Sequence, residues 1–406
     1  MDVGGIGRRI AYWRERRGLT QEQVGRLVGM TRRGVQDIER GERQGDPRVS
    51  VVETFAAALQ VRVEDLLGDG PPASAAQCMD TAELAAIRAT LLSPAVLLPG
   101  LARDDARPDL ERLRRNVSYG WTAFQYARFT SLGRVLPPLV AEAAAAAGNL
   151  DSGARQAAFS LQSMTYQLVV AVAVKYGDVV LATMAADRAV SAADRSCDPV
   201  AMAGAARHLV DAMTHQGRAA EGVRLAGSVA DRLEGDLVDR GVHGVTVLGM
   251  LHLKAAVGAA ALGSADTVTD LLAAAEESAA RLGGDANALW TAFGPTNCAF
   301  HTVACLVALG EGAKAVAAAQ SIAPHMRQAL PRERRALFLV DLSRAQAQAG
   351  LPGPALETLL EAEREAPEEV RCRPRTHQLV QDLHLLVAGS DGGRLRTLAA
   401  RCGLPA

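Results

Sequence analysis

The feature that most constrains this chain is a rhythm of glycines between stretches of helical apolar spacing. Gly133, Gly177, Gly217, Gly263, Gly310 and Gly350 follow one another at steps of 44, 40, 46, 47 and 40 residues. Each reads as the turn of a helix pair. Five residues after three of these glycines stands an alanine (Ala182, Ala315, Ala355), small enough to let the second helix lie close on the first. Pro367 and the Asp198-Pro199 step supply further helix ends. A lone pair of this size cannot bury its apolar face, whereas stacked pairs bury it against their neighbours. The expected architecture from residue 108 to residue 406 is therefore an α-solenoid. Composition agrees: 49% hydrophobic residues with only 4% aromatics suit helices packed through small side chains rather than sheets.

Residues 1–68 have a different texture and read as five short helices. Ile6, Ile10 and Trp13 share one face, and Gly18 ends that helix. Thr20 caps a second, with Val24, Leu27 and Val28 turned inward, and Gly29 closes it. Thr31 caps a third, with Val35 and Ile38 buried, and Gly41 stops it. Val52, Phe55, Ala56 and Leu59 make a fourth stripe before a VEDLL turn. Residues 69–107 read as a linker, with Gly68–Gln77 of pure linker composition and a short helix over Thr81–Leu92 broken by Pro94 and Pro99. The formal charge is −1 overall, yet residues 1–63 hold 12 arginines against 8 acids. A basic module on a neutral body is the electrostatic footprint of a DNA-binding head. Arginine outnumbers lysine 41 to 3 across the chain, so arginine abundance alone says little.

The segment LTQEQVGRLVGMTRRGVQDIERGER, Leu19 to Arg43, resembles the helix-turn-helix of the phage repressor and Cro (XRE) family, over roughly residues 6–67. The match combines Gln21 at the start of the second helix, Gly29 in the turn, and the Ile38-Glu39-Arg40-Gly41 ending. The resemblance implies that Arg32, Arg33 and Gln36 read base edges in the major groove. Arginine can pair bidentately with guanine, and glutamine with adenine. It also implies that Gln21 holds a phosphate and that Arg14 and Glu39 form a buried structural salt bridge. Arg43 and Arg48, on the following loop, are expected backbone contacts. Gly34 inside the recognition helix departs from good helix chemistry, at a cost of about 1 kcal/mol relative to alanine.

The glycine rhythm is similar to degenerate tetratricopeptide repeats stretched beyond their usual 34 residues. Residues 116–140 and the segment FGPTNCAFH (Phe293 to His301) resemble the C-terminal halves of actinobacterial XRE regulators with such repeats, which implies sensing or dimerisation. The expected fold class is all-α: a five-helix repressor-type helix-turn-helix domain followed by a tetratricopeptide-like α-solenoid. Trp121, Gln125 and Arg128 are spaced as one stripe, which fits either a ligand-facing surface or a core tryptophan beside solvated neighbours. Asn297 and His301 form a second effector-binding candidate, because an asparagine side chain can satisfy an amide and a carbonyl together. His208, Asp211 and His215 share a face, but a fourth metal ligand is not visible, so ordinary helix surface or core is the better reading.

Six scattered cysteines lack metal or disulfide spacing, and free thiols are expected. Neither a signal-peptide core nor an uncharged apolar stretch of about 18 residues is present, so a cytoplasmic protein is expected, on the nucleoid when bound to DNA. HExxH, Walker A, GxSxG and strand-following GxGxxG motifs are missing; no cofactor, metal or catalysis is expected. Together these readings describe a transcriptional regulator, a homodimer on a double-stranded operator, whose repeats bind a small-molecule or peptide effector. The alternative is a constitutive regulator whose repeats serve only dimerisation or docking. The solenoid's interior discriminates: mixed polar and aromatic lining favours sensing, and closure by alanine and leucine favours scaffolding.

Overall fold

The computed structural model describes residues 3–41, 48–67, 78–98, 108–150, 152–387 and 390–404. Among them there is no strand, only an isolated antiparallel bridge between Ala286 and Phe293. Two compact units result, Met1–Ala82 and Glu83–Ala406.

Among its described residues the first unit holds five helices: α1 (Val3–Arg16), α2 (Gln21–Val28), α3 (Arg32–Glu39), α4 (Val49–Leu59) and α5 (Val63–Leu67). Thr20 and Gln23 close a reciprocal capping box on α2, and Gly29 ends that helix in the left-handed conformation. Thr31 caps α3 by accepting from the Gly34 amide. Ile6, Ile10, Trp13, Val24, Val35, Phe55 and Leu59 make one core. Gly7 lets α1 lie directly on α3, since a Cβ there would stand 2.2 Å from the Ile38 carbonyl oxygen. One inward assignment is corrected: Leu27 is 60% exposed, because α2 is only two turns long and packs on α3 and α4 through Val24 and Gly25. The unit also extends past residue 68. Met79 is buried, and Arg17 Nη1 lies 2.6 Å from Asp80 Oδ2. The Gly68–Gln77 linker lies outside the described residues.

The second unit opens with α6 (Thr81–Leu91) and α7 (Pro94–Leu97). The short helix expected inside a linker instead packs on the repeats. Ile87 and Leu91 are fully buried, Arg88 pairs with Asp178, and Arg188 donates to the Leu91 carbonyl at 2.8 Å. Pro94 does not merely break this helix; it begins the next one, where its missing N–H costs nothing. Helix pairs then follow: α8 (Leu110–Gln125) with α9 (Phe129–Asn149), α10 (Ser152–Tyr176) with α11 (Val179–Ser196), and α12 (Pro199–His215) with α13 (Ala219–Asp239). Next come α14 (Val242–Ala261) with α15 (Ala265–Leu282) and α16 (Pro295–Ala308) with α17 (Gly312–Gln320). After the short α18 (Pro324–Ala329) come α19 (Arg332–Gln348) and α20 (Pro352–Glu365). The short α21 (Pro367–Arg371) leads to α22 (Pro374–Leu386) and α23 (Ser390–Arg401).

Gly177, Gly217, Gly263, Gly310 and Gly350 all sit at turns with positive φ, and Ala182, Ala315 and Ala355 are buried at the close crossings. Gly133 is the exception. It is buried inside α9, and the first turn is made by Ala127 at φ +54°. Helices α10 and α14 contain stretches long and apolar enough to cross a membrane, but each stretch is 78% buried within the unit. Cys298 and Cys305 are buried free thiols, whose ionisation burial pushes up to about 12. Cys197 and Cys402 are free as well, whereas Cys78 and Cys372 are not, which corrects the expectation of free thiols throughout.

Candidate DNA interface and interior cavity

In the first unit, capping by Thr31 starts α3 with Arg32 and Arg33 in its first turn. Both are exposed, and neither makes a hydrogen bond or ion pair among the described residues. Gln36 is half-buried one turn on. The arginines around the core are occupied otherwise. Arg9 donates to the Leu66 carbonyl at 2.8 Å, and Arg17 donates to the Leu59 carbonyl at 2.9 Å. Arg16 and Arg17 also stand over the Trp13 ring. The basic excess thus divides into arginines that hold the fold and arginines free to meet a phosphate or base. Arg14 grips Glu39 with two bonds, Nε to Oε1 at 2.6 Å and Nη2 to Oε2 at 3.1 Å, tying α1 to α3. Gln21 donates to Glu39 Oε2 at 2.8 Å, so in this structure its side chain braces the same carboxylate. Arg48 is exposed at the start of α4; Arg43 lies outside the described residues.

In the second unit, the first helix of every pair from α8 to α22 turns inward around a cavity of about 500 Å³. The array curls far enough for its beginning to meet its end. Buried Lys175 of α10 holds Glu333 of α19 and both carboxylate oxygens of Glu369 in α21, the latter at 2.8 Å. The Thr130 amide donates to Glu368 at 2.7 Å.

One wall is aromatic. Trp121 is 4% exposed and stacks on Trp290 at 6.3 Å with planes 14° apart, and its Nε1 donates to the Met164 carbonyl. Trp290 belongs to a strap, residues 283–294, that sequence periodicity does not reveal. Leu289, Trp290 and Ala292 all have φ near +50°, a conformation costly for non-glycine residues. What holds it is specific. Gln125 and Asn287 exchange two amide hydrogen bonds at 2.8 and 2.9 Å, and Asp285 accepts from the Thr296 amide and hydroxyl. Phe293 fills the notch at Gly249, where a Cβ would stand 1.9 Å from its ring.

Of the expected stripe, then, Trp121 and Gln125 reach the cavity and Arg128 does not. Helix α8 ends at Gln125, and Arg128 is exposed, its guanidinium 5.8 Å from the Tyr126 ring. Asn297 and His301 both line it. Asn297 is wholly buried, with its Oδ1 unbonded and its Nδ2 only 3.4 Å from the Met250 sulfur. Burial, with Arg334 and Lys254 nearby, pulls His301 down to about 3, so it is neutral at pH 7. His208, Asp211 and His215 line it too, but as an ion-pair site. Lys254 Nζ lies 2.8 Å from Asp211 Oδ2 and, against the effect of burial, helps hold that carboxyl well below its usual range. Among the described residues no cluster of three or more His, Cys, Asp or Glu could hold a metal. Sequence reasoning missed Arg207, Arg334 and Arg375. The available signal was Arg207-His208 inside the otherwise apolar face of α12.

Residues 10–66 match the family model described as helix-turn-helix. The head is a helix-turn-helix domain. The chain is accordingly a DNA-binding transcriptional regulator. No curated protein sequence matches the chain. Among solved structures it is similar to PlcR of Bacillus thuringiensis, crystallised with the peptide PapR7 and DNA. Identity is 13%, with 86% of this chain and 98% of that one covered, and the TM-score is 0.36.

Proposed function

We propose that this regulator is ligand-responsive: the head reads an operator, and a small-molecule or short-peptide effector in the solenoid's interior changes how tightly it does so. One observation carries the reading, the cavity of about 500 Å³ lined by tryptophan, histidine, asparagine and charged side chains. A scaffold needs no such interior, and its volume is typical of small-ligand sites. In this reading Arg32, Arg33 and Gln36 contact bases, while Gln21, Arg43 and Arg48 contact phosphates. Gln21 then exchanges its bond to Glu39 for one to DNA. A single head reads a half-site of a few base pairs, so the reading includes a homodimer on half-sites about one helical turn apart. An effector acts only if it binds one arrangement of the dimer better than another.

The test starts by selecting an operator in vitro, then measures affinity with and without cell extract, together with the solution mass of the full chain. A palindromic site bound by a dimer, with affinity altered by a component of the extract, is the expected result. A monomer on an asymmetric site, indifferent to every extract, would sink the proposal.

A further inference from the structure

The sensing reading leaves the effector's chemistry open, and the cavity narrows it. Seven cationic side chains line the cavity against four carboxylates, and Glu369 behind Lys175 and Arg373 adds only a fifth acid. The carboxylates are largely spoken for: Asp211 by Lys254, and Glu333 by Lys175 and Arg334. Arg207 is left over. It is 4% exposed, makes no hydrogen bond or ion pair among the described residues, and has an orphaned Nε. Arg375 likewise lacks an ion pair within 4.0 Å among the described residues.

A buried guanidinium without a bonded counter-charge of its own is costly, and the acid that acts on Arg207 from nearby, Asp211, is already paired with Lys254, so a bound anion would relieve it. Burial and the charge of Arg334, outweighing Asp211, lower even the Arg207 guanidinium, to about 10, which leaves it cationic at pH 7. Beside it, His208 is 4% exposed with both ring nitrogens unbonded, and its ring lies 5.8 Å from that of Trp121. Asn297 offers an unbonded Oδ1, an acceptor waiting for a donor. One lining thus presents an unmatched cation, two unsatisfied polar side chains and an aromatic wall.

We infer that the cavity binds a small organic acid, its carboxylate on the fork of Arg207 and its aromatic or apolar body against Trp121. Arginine binds a carboxylate bidentately, which sets orientation as well as strength. A ligand N–H or O–H completes Asn297. The inference rests on the sensing reading for its biological sense, but binding itself is testable without DNA.

The experiment titrates the full chain by calorimetry with 3-phenylpropanoate, indole-3-acetate and benzoate, each paired with its neutral amide, and with inorganic phosphate. At least one acid should bind at least tenfold tighter than its amide. Arg207→Met should erase that preference, Arg207→Lys should keep part of it, and unliganded Arg207→Met should melt no lower than wild type, because it sheds an unmatched charge. Equal binding of acids and amides, no binding by any acid, or a large loss of melting temperature in Arg207→Met would overturn the inference. Tighter binding of phosphate than of every carboxylate would overturn the choice of a carboxylic acid. An acid that binds through Arg207 yet leaves operator affinity unchanged would refute the sensing reading alone.

Discussion

Replacing Lys175 by methionine removes one charge and keeps the aliphatic stem that lies under Phe124 and Phe129, whose ring centres are each 5.6 Å from Nζ. What remains is two carboxylates in a site where Glu333 is 2% exposed and Glu369 not at all. Arg373 stays 2.5 Å from Glu369, but the ion pair left to Glu333 among the described residues is the longer one with Arg334, at 3.7 Å. Breaking a buried pair while leaving its partner charged costs about 3–5 kcal/mol. At a urea m-value of about 3 kcal/mol per molar, the helical signal should lose its midpoint about 1–1.7 M earlier at pH 8. The pH dependence carries the sharper sign. Burial alone would raise the Glu333 carboxyl, but Lys175 and Arg334 pull it to about 2, below its unfolded value near 4.5. In the wild type this contribution is present above pH 4.5 and lost as pH falls toward 2. Without Lys175, burial dominates and the carboxyl should rise above 4.5, so the deficit should shrink between pH 8 and pH 5. Equal deficits at the two pH values, or none at pH 8, would show that the Lys175 site holds no desolvated charge.

Arg14→Ala should lower the stability of the head by about 3 kcal/mol, since Glu39 keeps only Gln21 as a partner; hydrogen exchange over α1 and α3 of the full chain reads this, and unchanged protection would contradict it. Arg32→Ala or Arg33→Ala should weaken cognate operator binding by about 1–3 kcal/mol with a much smaller loss on random DNA; equal losses in a gel-shift titration would mean phosphate contact only. Gly249→Ala should drive the Phe293 ring from its notch and loosen the strap. As the chain has three tryptophans and the Trp121–Trp290 pair holds two of them, its emission should shift while its helical content stays; an unaltered spectrum would rule this out.

What could be read from sequence was whatever acts locally. Turn glycines were legible because positive φ excludes most side chains, and the caps at Thr20 and Thr31 because an orphan amide needs a nearby oxygen. Gly133 misled for the same reason in reverse, since a helix interior also accepts glycine where space is short. Trp121, Asn297 and His301 stood out as rare residue types at helical spacing, and all three face the cavity. Arg334 and Arg375 did not stand out. In so arginine-rich a chain they look like solvated surface, and they are lining residues only because helices far apart in sequence curl toward each other. The strap was invisible because its conformation is fixed by partners outside it, Gln125, Thr296 and Gly249, which are far away in sequence or silent in periodicity.

An open stack of repeats is held only by neighbours, so it frays from its ends and loses repeats one at a time. The contacts of Lys175 with Glu333 and Glu369, and of Thr130 with Glu368, join residues 158 to 238 positions apart. They turn a linear array into something closer to a ring, in which α10 cannot melt without breaking its buried ion pairs with α19 and α21. Unfolding should therefore be more cooperative than stacked helix pairs allow, as in a compact globule. A strain introduced at one pair should likewise reach the others from both directions around the loop.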